Sequence, residues 1–194
     1  MTRPREKEAT APFTILVVCS GNTCRSPFAE GLLRQLLPNR LRSPAQVFSA
    51  GTSAAAGEPV TPNALLAAKE FGVDLSGKSS TPLTLDLIDQ ADMILVMEKR
   101  HRDRIVRMSP AASAKTRVVT ELAPGSSASG TAGAASTAGV ADPFGSGLET
   151  YHRCFAELRA ILTEAVPHIA EMIEHHESRQ GDSRQGRDAA PGSA

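Results

Sequence analysis

The chain has 194 residues, 41% of them apolar, and its 21 basic and 21 acidic side chains leave a formal net charge of zero. That length suits one well-buried domain and is short for two, while the charge balance argues against a nucleic-acid or membrane-surface partner, which a basic excess would mark. No apolar run approaches the roughly 18–20 residues of a membrane span, the opening MTRPREKEATAP lacks the apolar core of a secretory signal, and three cysteines, an odd number, fit free thiols in a cytoplasmic protein.

Residues 1–11 read as a disordered polar tail. FTILVV at 13–18 is short and rich in branched residues, as a buried parallel strand should be. SPFAEGLLRQLL at 26–37 repeats apolar residues at helical spacing, with Pro27 acceptable in a first turn. QVFSA (46–50), MILVM (93–97) and TRVVT (116–120) read as further strands, and helical patterns fall near 61–72, 84–91, 99–109 and 148–176. Residues 123–141 include 7 Ala, 4 Gly, 4 Ser and 2 Thr, too little apolar surface to offset the entropy of ordering them, so a mobile insert is expected there. The charged, Gly-containing end at 177–194 reads as a second disordered tail. One domain over 12–176 results. Its alternating strands and helices predict an open parallel sheet covered on both faces, with ligands beyond the carboxyl ends of the strands. Cys19 sits at such an end.

The loop after that strand is CSGNTCR. Ser20, Gly21, Asn22 and Thr23 tolerate sharp turns, Gly and Asn even with positive φ. A loop curling there aims successive N–H groups inward as an anion nest, and the following helix adds its positive end. Arg25 offers a planar fork of donors to two oxygens of a tetrahedral oxyanion. The same surroundings favour thiolate at Cys19, since helix N-termini and cations bring cysteine pKa values down to roughly 3.5–7.5. A nucleophile at the base of an anion site is the chemistry needed for attack on phosphorus.

At this point CSGNTCRSPFAEGLL, with SAGTSA (49–54), ILVMEKRH (94–101) and DPFGSGLETY (142–151) in the same order, resembles the low-molecular-weight protein tyrosine phosphatases over about residues 13–170. The resemblance implies a phosphotyrosine protein phosphatase I-like fold: a four-stranded parallel sheet in a three-layer α/β/α arrangement. It implies that Cys19 attacks phosphorus to form a phosphocysteine, that Arg25 binds the phosphoryl oxygens, and that Asp142 is the general acid and then base. Ser20, Gly21, Asn22, Thr23, Cys24 and Arg25 would form the phosphate-binding loop. Pro143 biases Asp142 toward an extended backbone. Ser26 is placed like the serine that hydrogen-bonds the thiolate (its alternative is a helix N-cap), Asn22 like the asparagine of the strained turn, and Ser49 like a supporting member. Cys24 corresponds to the loop cysteine that pairs with the nucleophile under oxidation and so protects it; its alternative is a buried loop cysteine. Cys154, in an apolar helical stretch, reads as core. The family often carries a histidine before its Leu-Thr element where this chain has GKSSTPLT, so Lys78 receives no role.

The first reading is therefore a protein tyrosine phosphatase acting on a phosphorylated protein substrate, with no metal, no cofactor, no nucleic-acid and no membrane partner. Thr23, where tyrosine-specific members carry a bulkier apolar residue, and Phe144 in Asp-Pro-Phe resemble the bacterial protein-arginine phosphatases, the alternative; Thr23 is otherwise a tolerated small loop residue. Arsenate reduction is a further rival, disfavoured because 78–92 holds no resolving cysteine. A non-catalytic phosphoresidue-binding module would be expected to lack Cys19 or Asp142, and both are present. EKRHRDRIVR (98–107) reads as a solvated helix face before it reads as a site for acidic substrates.

Overall fold

The computed structural model describes residues 12–37, 45–123 and 139–185, with side chains to residue 176. Four parallel strands form one sheet: β1 (Phe13–Cys19), β2 (Ala45–Gly51), β3 (Met93–Val96) and β4 (Thr116–Val118), in the spatial order β2-β1-β3-β4. The register runs from Phe13 opposite Ala45 to Cys19 opposite Gly51 on one side of β1, and from Ile15 opposite Met93 to Val18 opposite Val96 on the other. The chain leaves β1 to one side and comes back to its other side. The carboxyl end of β1 is thus the switch point, where neighbouring connections diverge and open a crevice.

Side chains alternate across a strand, and here both faces are buried. Phe13, Ile15, Val17 and Cys19 join Met93, Leu95 and Met97 on one face, under α1 (Arg25–Leu36), α2 (Pro62–Glu70) and α5 (Leu148–Gln185). Leu16, Val18, Ile94 and Val96 point the opposite way, to Ile88 of α3 (Leu85–Gln90) and Ile105 of α4 (Lys99–Met108). This two-sided burial is why the strands read as continuous apolar runs. The three-layer α/β/α architecture expected from the alternation is the one observed. Phe28 of α1 stacks on Phe155 of α5 with ring centroids 4.0 Å apart, and Phe71 meets Phe28 edge-on at 5.6 Å. Burial of each such ring contributes about 1.5–3 kcal/mol, which ties the helix that starts at the loop to the longest helix of the domain. Cys154 lies in this core, as expected.

Some boundaries differ from the sequence reading. TRVVT does not remain a strand to 120; it passes into a 3-10 turn at Val119–Leu122, where a Glu121 carboxylate oxygen accepts the Val118 N–H at 3.1 Å. The last helix continues to Gln185 rather than ending at 176. Of the mobile insert expected at 123–141, residues 124–138 lie outside the described residues, as do 1–11 and 186–194 of the expected tails. The end of the insert is tied down: Val140 N–H donates to the Met97 carbonyl at 2.8 Å, and Gly139 bridges to Glu98. Gly139 has φ 100°, and a Cβ there would lie 2.0 Å from the Met97 oxygen, so only glycine lets the chain cross the end of β3 this closely. No helix among the described residues is long and apolar enough to cross a membrane.

Candidate active site

The crevice at the end of β1 is closed by the loop Cys19–Cys24. Asn22 has φ 55°, the only positive value on a non-glycine among the described residues. Its side chain sustains that turn: Nδ2 donates to Ser26 Oγ and Ser49 Oγ, both at 2.9 Å, and Oδ1 accepts from the Thr81 amide at 2.8 Å. The turn sends the Asn22 N–H back onto Cys19 Sγ at 3.2 Å. From outside, the carbonyls of Cys19, Ser20 and Thr23 accept the amides of Thr52, Ser53 and Thr61 at 2.9, 2.9 and 3.1 Å. The amides of Gly21, Thr23 and Cys24 donate to no backbone carbonyl among the described residues, which leaves them available to an anion. Gly51 allows the close approach. A Cβ on it would lie 2.5 Å from the Ser20 oxygen and 2.9 Å from the Asn22 nitrogen.

Cys19 Sγ is buried and 3.0 Å from Ser26 Oγ. Asn22 donates to Ser26, so the Ser26 hydroxyl proton is directed to the sulfur or, more weakly at 3.4 Å, to the Ala50 carbonyl. Ser26 is thus placed to donate to the Cys19 sulfur, and no side-chain cap bond is made at the start of α1. The lowered Cys19 pKa expected from the loop is not what the site holds. Burial pushes the thiol up, against the Ser26 hydrogen bond, the Arg25 charge and the Asn22 amide, all of which pull it down. The physical reason is desolvation: the sulfur is completely buried, and the penalty that burial puts on the charged form outweighs those favourable contacts.

Arg25 is fully buried at the first turn of α1, and its guanidinium donates to Glu98, to Asp142 and, at 2.9 Å, to the Val140 carbonyl. Its Nε is buried without a partner. An orphaned N–H on a buried cation is costly and calls for an acceptor. The Asp142 side chain is 30% exposed and held by Arg25 and by the Phe144 N–H at 3.3 Å, so its carboxyl stands at the mouth of the crevice. Phe144 projects at the rim, 67% exposed.

The structure adds partners that sequence reasoning missed. Glu30, 1% exposed, accepts from Ser49 Oγ at 2.6 Å and is held by Lys78 at 2.5 Å and Arg34 at 2.8 Å. A continuous relay thus runs Lys78–Glu30–Ser49–Asn22–Ser26–Cys19, and Lys78 closes it at the outer end. One signal was available: Glu30 lies four residues after Ser26, within the apolar stripe of FAEGLL, where an unpaired carboxylate would not persist. Glu98 follows the buried run MILVM directly, at the carboxyl edge of the sheet. His101 Nε2 lies 2.9 Å from Ser20 Oγ; burial, first, and the Arg25 charge hold its pKa down at about 4. Cys24 Sγ sits 3.4 Å from Thr61 Oγ1 and 3.6 Å from Tyr151 Oη, and the three cysteines are unpaired thiols. Thr23 is half-buried, its hydroxyl 3.7 Å from Cys24 Sγ. Of the residues singled out from the sequence, Cys19, Asn22, Ser26 and Ser49 share one hydrogen-bonded network, Arg25 and Asp142 form an ion pair, and Ser20, Gly21, Thr23 and Cys24 complete the loop. No group of three or more potential metal ligands occurs among the described residues.

The chain is similar to known proteins. The family model described as "Low molecular weight phosphotyrosine protein phosphatase" matches residues 14–177. A probable low molecular weight protein-tyrosine-phosphatase, AmsI of Erwinia amylovora, is 43% identical over 103 residues, 53% of this chain and 68% of that protein. The protein-arginine-phosphatase of Geobacillus stearothermophilus is 37% identical over 151 residues, 78% of this chain and 92% of that one. The solved YwlE arginine phosphatase structure from the same organism superposes with a TM-score of 0.67 at 34% identity, covering 87% of this chain and 97% of its own. With the family model matched over most of the chain and the fold shared with solved relatives, the chain belongs to the low molecular weight phosphotyrosine protein phosphatase family of hydrolases.

Proposed function

We propose that the protein is a protein tyrosine phosphatase, hydrolysing phosphomonoesters of phosphorylated proteins through a phosphocysteine on Cys19. One observation carries this reading. The Asn22 amide and the Ser26 hydroxyl converge on Cys19 Sγ, next to a buried Arg25 whose Nε has no partner. A phosphoryl dianion entering the loop supplies that acceptor. It competes with Asp142 for the guanidinium, and Glu98 keeps the arginine in place.

The Cys19 thiolate then forms the S–P bond as the ester P–O bond breaks, and Asp142 gives its proton to the leaving oxygen. Arg25 and the loop amides stabilise the charge on the equatorial oxygens. Water next attacks phosphorus, Asp142 takes its proton, the S–P bond breaks, and inorganic phosphate leaves. Cys19→Ser is expected to abolish turnover of para-nitrophenyl phosphate, and rapid quench of wild type with substrate to trap a phosphorylated residue 19. Persistent turnover in the serine variant refutes the mechanism.

A second substrate reading, phosphoarginine, is favoured by Thr23 and Phe144 at the pocket and by the 92% coverage of the G. stearothermophilus relative. Turnover of matched phosphotyrosyl and phosphoarginyl peptides by wild type and Thr23→Ile decides between them: the substituted protein is expected to lose phosphoarginine turnover selectively only if the polar Thr23 recognises that group. The role of Cys24 is proposed to be a reversible disulfide with Cys19 under oxidation. Peroxide-treated Cys24→Ser regaining activity with thiol as fully as wild type overturns it.

A further inference from the structure

Beside the loop lies a second polar cleft, about 330 Å³ in volume, that the chemistry above does not use. Ser20, Thr52 and Ser53 form one wall. The other is the face of α4 that carries Arg100, Arg104 and Arg107, with His101 between. No carboxylate lines it. A wider hollow of about 680 Å³ on the adjoining side of α4 differs in this respect: its Lys99 and Arg102 are accompanied by Asp103 and Glu121, and Arg102 pairs with Glu121 at 3.2 Å. Arg107 borders both hollows. Arg100 is paired with Glu98 at 2.8 Å, whereas Arg104 and Arg107 are exposed and make no ion pair among the described residues. Two uncompensated guanidinium groups at one cleft, in a chain of zero net charge, constitute a local demand for anions.

The Ser20 hydroxyl links this cleft to the phosphate loop. Ser20 Oγ lies 2.9 Å from His101 Nε2 and accepts from Arg100 Nη2 at 3.3 Å. His101 Nδ1 is buried without a partner, and an unpaired acceptor is less costly than an unpaired N–H, so the ring proton belongs on Nε2. Ser20 Oγ then accepts twice, and its own proton is free to be donated. From Arg100 to Arg107 the helix advances about 10 Å, a span that about three residues of extended peptide match.

Resting on the phosphatase reading, we infer that this cleft is a specificity subsite that takes acidic side chains, Asp or Glu, lying one to three residues from the phosphoresidue of the protein substrate. Arg104 and Arg107 receive the carboxylates, and Ser20 joins the cleft to the phosphate loop.

The test compares kcat/KM for peptide pairs that differ only in having Glu or Gln at the three positions on each side of the phosphoresidue, made in phosphotyrosyl and phosphoarginyl forms. Wild type is expected to favour the Glu peptide about three- to tenfold at low ionic strength, as exposed ion pairs do, and the preference to shrink as salt rises toward about 0.5 M. Arg104→Ala and the double variant with Arg107→Ala should bring the ratio toward one, Arg104→Lys should retain most of it, and Arg104→Glu should invert it in favour of Lys-flanked peptides. Equal turnover within both pairs by wild type, or an undiminished ratio in folded Arg104→Ala and double variants, overturns the subsite. Para-nitrophenyl phosphate separates the two levels, since it carries no flanking residues. Its hydrolysis without any preference among peptides overturns the subsite alone, and failure of wild type to hydrolyse it or any peptide overturns the phosphatase reading as well.

Discussion

Replacing Ser26 by alanine tests the thiolate support most directly. Ser26 Oγ, 3.0 Å from Cys19 Sγ, is the strongest influence pulling the Cys19 pKa down against burial. A hydrogen bond to a charged group contributes about 1.5–3 kcal/mol, and one pKa unit corresponds to about 1.36 kcal/mol. Ser26→Ala should thus raise the midpoint of thiolate formation by about one to two units and reduce the thiolate fraction at neutral pH about 10- to 100-fold. The turn itself should survive, because Asn22 Nδ2 keeps Ser49 and Oδ1 keeps the Thr81 amide. The melting temperature should therefore fall only by the equivalent of about 1–3 kcal/mol, for the two buried hydrogen bonds that Ser26 Oγ shares with Asn22 Nδ2 and Cys19 Sγ. The assay is the rate of iodoacetamide alkylation of Cys19 against pH, with kcat/KM for para-nitrophenyl phosphate over the same range. Activity lost at pH 6 should return as pH rises. An unchanged alkylation midpoint in folded Ser26→Ala would refute the assignment of Ser26 as the thiolate donor.

Asp142→Asn should slow esters with poor leaving groups about 10²- to 10⁴-fold, the usual contribution of a positioned acid, and activated aryl phosphates much less; equal losses on both would exclude an acid. Gly51→Ala, whose Cβ would fall 2.5 Å from the Ser20 oxygen, should cost about 1–3 kcal/mol of stability by overpacking and distort the loop; retained activity and melting temperature would show that β2 does not constrain it. His101, held neutral with a pKa of about 4, should make stability fall as pH drops from about 6.5 toward 4, because the unfolded chain takes up the proton first. The loss is of the order of 2–3 kcal/mol, and His101→Gln should flatten that part of a urea-unfolding pH series.

Much of the site was legible before any tertiary information. A strand buried on both faces has to read as an unbroken apolar run, so FTILVV announced a central parallel strand, and the polar turn after it located the crevice. Gly and Asn in that turn, then Arg at a helix start, are local requirements of an anion nest, and local requirements leave local traces. Sequence reading also placed the end of the insert in a mobile segment, yet Gly139 and Val140 are pinned to the end of β3, because their partners come from a strand some forty residues away. The extended strand at 119–120 failed for a local reason instead: Glu121 folds back on Val118, and a 3-10 turn wins over β propensity.

By itself, the amino-acid sequence determined the alternation of strands and helices, the position of Cys19 at a strand end, and the residue types of the loop, since each depends on neighbours a few positions away. Only the tertiary structure decided which charges meet. Arg25 lies between Glu98 and Asp142, Glu30 joins Lys78 to Ser49, and Arg104 and Arg107 are left uncompensated beside Ser20. A charge's effect depends on its distance and burial, and residues 73 and 117 positions apart acquire neither until the sheet brings them to one edge.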